Sequence, residues 1–178
     1  LVTSEALASA QRRAKAIDLL ETCGKAIEWN DTRVVRRLAV FYWQEEEYER
    51  VKELLETVTR RKAVRDTFDV QYVAAMYYRS VLERRANESA EGAEPAPDVL
   101  RKKMLAHAKR AAQRVREVHD ERDLRLLAAL LASQEAWTAL GQMLGTTLAN
   151  PTFATIPLRL LYAESLLNSG QAELALSV

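Results

Sequence analysis

Cysteine occurs once in the 178 residues, at Cys23. A lone thiol closes no internal disulfide, so the chain is not a small domain framed by covalent staples. Glycine and proline are scarce too, at 5 and 4 residues, which argues against the turn-rich texture of all-β proteins. Neither sign of charge dominates: 26 Lys and Arg stand against 25 Asp and Glu. No net field therefore draws the chain toward nucleic acid or an anionic membrane, and such a partner would need a local patch. No apolar run approaches the ~20 residues of a membrane-spanning helix; the stretch from Leu126 to Ala132 is among the longest. A glycine-rich phosphate loop, a paired-histidine helix and cysteine pairs at zinc spacing are all missing, which removes the common signatures of nucleotide and zinc enzymes. The chain is expected to be no enzyme and to take no cofactor or metal.

What is present favours helices. Ala, Leu, Glu and Arg are abundant, and 48% hydrophobic content is ample for a core. From Ser4 to about Trp29, residues Leu7, Ala10, Ala14, Ile17, Leu20 and Ile27 recur at three- and four-residue steps, the spacing of a helix with one buried stripe. Asn30 and Asp31 can cap a second helix carrying Val34, Val35, Leu38, Ala39, Phe41 and Tyr42, because their side-chain oxygens accept from first-turn amides. A third helix is expected from about Tyr48 to Arg61 and a fourth from about Thr67 to Arg85. The segment Asn87 to Pro97 lacks any large apolar residue and is expected to be a mobile inserted loop. Beyond it, helices are expected at about Asp98 to His119, Glu121 to Ala132, Gln134 to Leu148 and Thr155 to Asn168, with a truncated ninth after Gly170. Helices joined by short connections lie antiparallel to their neighbours. Leu1 is no initiator Met and Val178 interrupts an apolar-periodic segment, so a fragment of a larger polypeptide is expected.

Self-comparison finds a repeat. Leu38-Ala39 with Tyr42, Val51 and Leu55 is echoed by Val73-Ala74 with Tyr77, by Leu126-Leu127 with Leu130, Ala139 and Met143, and by Tyr162-Ala163 with Leu166 and Ala175. Positions 39, 74, 127 and 163 are 35, 53 and 36 apart, the long interval holding the inserted segment. A repeat of this length means that each hairpin buries its apolar face only against its neighbours. The pattern resembles the tetratricopeptide repeat, a unit of about 34 residues. Ala39, Ala74 and Ala163 match its small first-helix position, Tyr42 and Tyr77 its aromatic position, Ala139 and Ala175 its small second-helix position, and Pro151 its closing proline. Leu127 and Val51 depart from it, standing where small residues are usual. The resemblance spans nearly the whole chain. It implies a single all-α domain over 1–178, a right-handed superhelical α-solenoid of antiparallel hairpins with about nine helices.

That family is similar throughout in holding extended peptides on a concave face lined by the first helix of each hairpin. Carried over by position, the face holds Arg33, Arg36, Trp43 and Gln44, then Gln71, Tyr78 and Arg79, then Leu124, Leu131, Leu160, Leu167 and Asn168. Guanidinium forks grip carboxylates, and aromatic rings contribute contact area at low entropy cost. The expected partner is thus a protein, as a peptide or helix with acidic residues at one end and apolar ones at the other. Val40 occupies the Asn place of the family's chaperone-tail binders, so that activity is not expected. The competing reading, solvated arginines and internally packed leucines, stays open at this stage.

The fifth helix carries seven Lys and Arg against two acids, with Lys103, His107, Arg110 and Arg114 on one face and Leu105, Ala108, Ala112 and Val115 toward the core. Such a face suits phosphates. A solvated face neutralised by Glu88, Glu91 and Glu94 is the preferred reading, because the helix has no aromatics or recognition motif, so nucleic acid ranks below protein as a partner. Self-association through exposed repeat ends, as an oligomerisation module of a regulator or secretion-system protein, is a third option. Cys23 is expected to be a small core hydrophobe. Glu45, Glu46, Glu47 and Glu49 are expected to form a solvated corner rather than a metal site. The single cysteine slightly favours the cytoplasm and leaves the periplasm open, and the Ala- and Arg-rich texture is common in bacterial proteins.

Overall fold

The computed structural model describes residues 4–88, 95–118 and 120–178, with side chains placed from residue 11 onward and none at 88. Among these residues the secondary structure is helical, without a strand: α1 Ser4–Ala26, α2 Thr32–Gln44, α3 Tyr48–Thr59, α4 Phe68–Glu88, α5 Pro97–Gln113, α6 Glu121–Ser133, α7 Trp137–Leu148, α8 Ile156–Asn168 and α9 Ala172–Ala175. Short 3-10 turns lie at Val115–Glu117 and Pro151–Phe153. The chain divides within α4 into two compact units, residues 1–73 and 74–178.

In the first unit α1 packs on α2 and α2 on α3. The Asp31 side chain caps α2 by accepting from the Arg33 amide at 3.1 Å, satisfying one of the donors that a helix start leaves open. The buried stripe of α2 is Val35, Leu38, Ala39 and Tyr42; that of α3 is Val51, Leu54, Leu55 and Val58. Both follow the three- and four-residue steps expected of one-sided helices. The first helix is shorter than its periodicity suggests. It stops at Ala26, and the chain reverses through two left-handed residues, Glu28 (φ 53°) and Trp29 (φ 60°). The Trp29 amide donates to the Gly24 carbonyl at 2.7 Å, and the buried Trp29 ring lies directly on the Gly24 backbone. Only a residue without a side chain fits beneath it.

In the second unit α5 packs on α6, α6 on α7 and α7 on α8, while α5 also reaches α7 and α6 reaches α8. Contacts to the neighbour and to the next helix but one are what stacked hairpins produce. Leu124, Leu127, Leu131, Leu140, Met143, Leu144 and Leu158 are each at most 1% exposed and form its core. The α7–α8 approach is close because Gly141 faces Ser165 and Gly145 faces the Tyr162 hydroxyl; an added Cβ would come within 3.2 and 3.0 Å of them. Two differences from the periodicity appear here. The fifth helix ends at Gln113 and gives way to the 3-10 turn, with Val118 extended. The seventh starts at Trp137, after a turn in which Glu135 has φ 53°. Of the segment 87–97, Asn87 and Glu88 belong to α4, Pro97 opens α5, and 89–94 lie outside the described residues.

Candidate functional site

On α2, the side opposite the buried stripe presents Arg33, Val40 and Gln44 as exposed residues and Arg36 and Trp43 as partly buried ones. The Arg33 side chain folds back on its own cap, donating through Nε at 2.9 Å and Nη2 at 2.7 Å to Asp31. These donors stabilise the carboxylate and hold the Asp31 pKa below its usual value. Arg36 Nε lies 3.6 Å from Asp69 Oδ1, while the Thr32 hydroxyl donates to Asp69 Oδ2 at 2.8 Å. Asp69 thus ties the start of α4 to α2. The Trp43 indole nitrogen is buried with no hydrogen-bond acceptor.

The other residues of the anticipated face divide by burial. Gln71 is 2% exposed, and its amide donates to the Arg65 carbonyl at 2.5 Å, so it is a buried strut of the first unit. In the second unit, Tyr78 stacks on His107 of α5 at 5.6 Å between ring centroids and Lys103 Nζ lies 5.7 Å from the Tyr78 ring. Arg79 donates to Glu83 at 2.7 Å one turn on. Leu124 and Leu131, expected on the concave face, are fully buried. They are core residues because α6 lies between its own hairpin partner and the flanking helices α5 and α8. Leu160, Leu167 and Asn168 of α8 are exposed. Cys23 is also exposed; it precedes Gly24 and lies off the buried side on which Trp29 packs, so it is no core residue.

Sequence reasoning missed a polar cluster in the first unit. The Tyr42 hydroxyl donates to Glu21 Oε1 at 2.8 Å, Arg50 pairs with Glu21 and, at 2.7 Å, with Glu47, and its guanidinium sits 4.4 Å from the Tyr42 ring. Burial, and then the Glu21 carboxylate that accepts from the phenol, push the Tyr42 pKa up. Glu21, Glu47 and Arg50, with Asp18 and Glu45, line a cleft of about 300 Å³. Glu45 pairs with Arg13 at 2.8 Å and Glu49 with Lys52 at 3.5 Å, so the acidic corner is interlaced with cations. No group of three or more His, Cys, Asp or Glu among the described residues is placed to hold a metal. The signal was available as Glu21 in the helix stripe facing an expected core tyrosine, but pairing across 29 residues is invisible to periodicity.

On α5, Leu100, Met104, Ala108, Ala111 and Ala112 are buried, which leaves Lys103, Arg110 and Arg114 exposed and His107 half-buried. Burial, then the charges of Arg110 and Lys103, lower the His107 pKa. The side chains of Glu88, Glu91 and Glu94, expected to neutralise this face, lie outside the described ones. No described helix is long and apolar enough to cross a membrane.

No protein-family model matches the chain, and no curated protein does. Among solved structures, the crystal structure of MamA protein is similar, with a TM-score of 0.52 over 95% of this chain and 80% of that one, at 11% sequence identity. That likeness, together with the all-helical order of the described residues, establishes that this chain has an all-α helical-repeat fold of the α-solenoid kind.

Proposed function

We propose that the chain is a protein-interaction scaffold built from tetratricopeptide-type repeats, which captures a peptide or helix of a partner through the first helices of its hairpins. Solenoid repeats bury one side of each helix and leave the other as extended surface. The observation that carries the reading is α2: its stripe Val35, Leu38, Ala39 and Tyr42 is spent on the core, whereas Arg33, Trp43 and Gln44 remain on the outward side. The Arg33 pair with Asp31 does not bar an acidic ligand. Arg33 is 73% exposed, where water and salt screen the pair, so one carboxylate exchanges for another at little cost. Trp43 adds a ring whose buried N–H has no acceptor. In the second unit, Tyr78 and Arg79 are the corresponding contributors from α4.

Selection from a displayed peptide library tests this. Enriched peptides are expected to carry acidic residues, to lose about tenfold in affinity against Arg33→Glu, and to keep it against Arg110→Glu. Peptides indifferent to Arg33→Glu and Trp43→Ala would remove α2 as the binding face.

A further inference from the structure

A second surface lies wholly within the second unit. Between α5 with its 3-10 extension and the start of α7 runs an open groove of about 620 Å³. One wall carries Lys109 and Arg116, the other Trp137 and Gln142, and the floor is Ala112 and Ala139 above the buried Met143. No described carboxylate pairs with Lys109 or Arg116, whereas Arg101 of the same helix is held by Asp98 at 3.4 Å and Arg125 of α6 by Glu121 at 2.7 Å. Trp137 is partly buried and lines the groove. An open channel of this kind does not enclose a small molecule, which buries most of its own surface when bound. With two cations, and Glu135 also in the lining, the groove neutralises too few phosphates to hold a nucleic-acid strand. It does match the anatomy of a peptide site: an aromatic anchor, an apolar floor and charged rims of one prevailing sign.

We propose that this groove docks an acidic peptide segment of another protein. Two of its carboxylates sit on Lys109 of α5 and Arg116 of the 3-10 turn that follows it. One large apolar side chain packs on Trp137 over the alanine floor. The site shares no residue with the α2 face and stands or falls independently of it.

The test uses the whole chain and a fluorescein-labelled short peptide of Glu and Leu, with Gln–Leu and Lys–Leu versions and a labelled oligothymidylate as comparisons, read by fluorescence anisotropy. The Glu–Leu peptide is expected to bind and the other three to bind at least about tenfold more weakly. Lys109→Glu with Arg116→Glu, both on exposed positions, is expected to weaken binding about tenfold or more and Trp137→Ala several-fold, with helical circular dichroism unchanged. Lys102→Glu, at an exposed position of α5 outside the groove, is expected to leave it within about twofold. No binding of the Glu–Leu peptide, equal binding of the Gln–Leu version or of the oligothymidylate, or an equal loss in Lys102→Glu would each overturn the proposal.

Discussion

Replacing Gly24 by alanine sets two effects of opposite sign against each other at one atom. Glycine inside a helix costs about 0.5–1 kcal/mol relative to alanine, so propensity alone makes Gly24→Ala stabilising. The structure reverses the sign. A Cβ at residue 24 would lie 2.5 Å from Trp29 Cε3 and 2.6 Å from Cη2, with Cζ3 closer still, and real carbon contacts do not form at such distances. The ring is 9% exposed and sits on a residue with φ 60° whose amide is held by the Gly24 carbonyl, so it moves aside only by leaving its seat. Losing a buried Trp costs about 3–5 kcal/mol. After the propensity gain, a net loss of about 2–4 kcal/mol is expected, a fall in Tm of about 5–15 °C. Guanidinium denaturation of wild type, Gly24→Ala, Trp29→Ala and the double variant measures it. In the Trp29→Ala background the same Gly24→Ala change is expected to become neutral or stabilising, by up to about 1 kcal/mol. Gly24→Ala as stable as wild type would refute the packing argument, and a loss of the same size in both backgrounds would place its cause elsewhere.

Burial predicts a contrast between two leucines that the repeat makes equivalent, 36 positions apart. Leu124→Ala empties a site with 0% exposure and is expected to cost about 2–5 kcal/mol, whereas Leu160→Ala, at 66% exposure, is expected to change unfolding by less than about 0.5 kcal/mol. Asp69→Ala removes the acceptor of the Thr32 hydroxyl and the partner of Arg36; a loss of about 1–3 kcal/mol in urea denaturation is expected, with Asp31→Ala near 1 kcal/mol from the missing cap. His107 has a lowered pKa in the fold, so below its unfolded value of about 6.5 the unfolded chain takes up the proton more readily. Stability is therefore expected to fall as pH drops through about 6.5 and to level off beneath the folded pKa. The slope should shrink in His107→Gln, and an unchanged slope there would count against it.

Helices, their number and most of their limits were legible because a one-sided helix writes its buried stripe at steps of three and four: Val35, Leu38, Ala39 and Tyr42 on α2, and Val51, Leu54, Leu55 and Val58 on α3. The cap at Asp31 and the start of α8 after Thr155 were equally local, and so readable. The end of α1 was not, because Ile27 continues the apolar rhythm while the reversal depends on Trp29 closing over Gly24. Periodicity also states that a side of a helix is apolar without stating what covers it. Leu124 and Leu160 occupy the same repeat position, yet one is enclosed and the other stands in solvent. Cys23, exposed against expectation, misleads for the same reason.

The candidate sites show the same division. Residue type and spacing named Arg33, Arg36, Trp43 and Tyr78; the local cap sets Asp31 beside Arg33, whereas pairing across the fold decided that Asp69 stands beside Arg36 and His107 against Tyr78. The Glu21–Tyr42–Arg50 cluster left only the place of Glu21 on the α1 stripe as a local sign, and the groove beside Trp137 left none. By itself the sequence determined an all-helical repeat, because hydrophobic spacing is set within one turn of the chain. Which polar groups meet, and which apolar surfaces stay open, was decided by helices packing across intervals of 20 residues and more, where only the tertiary structure brings the atoms within reach.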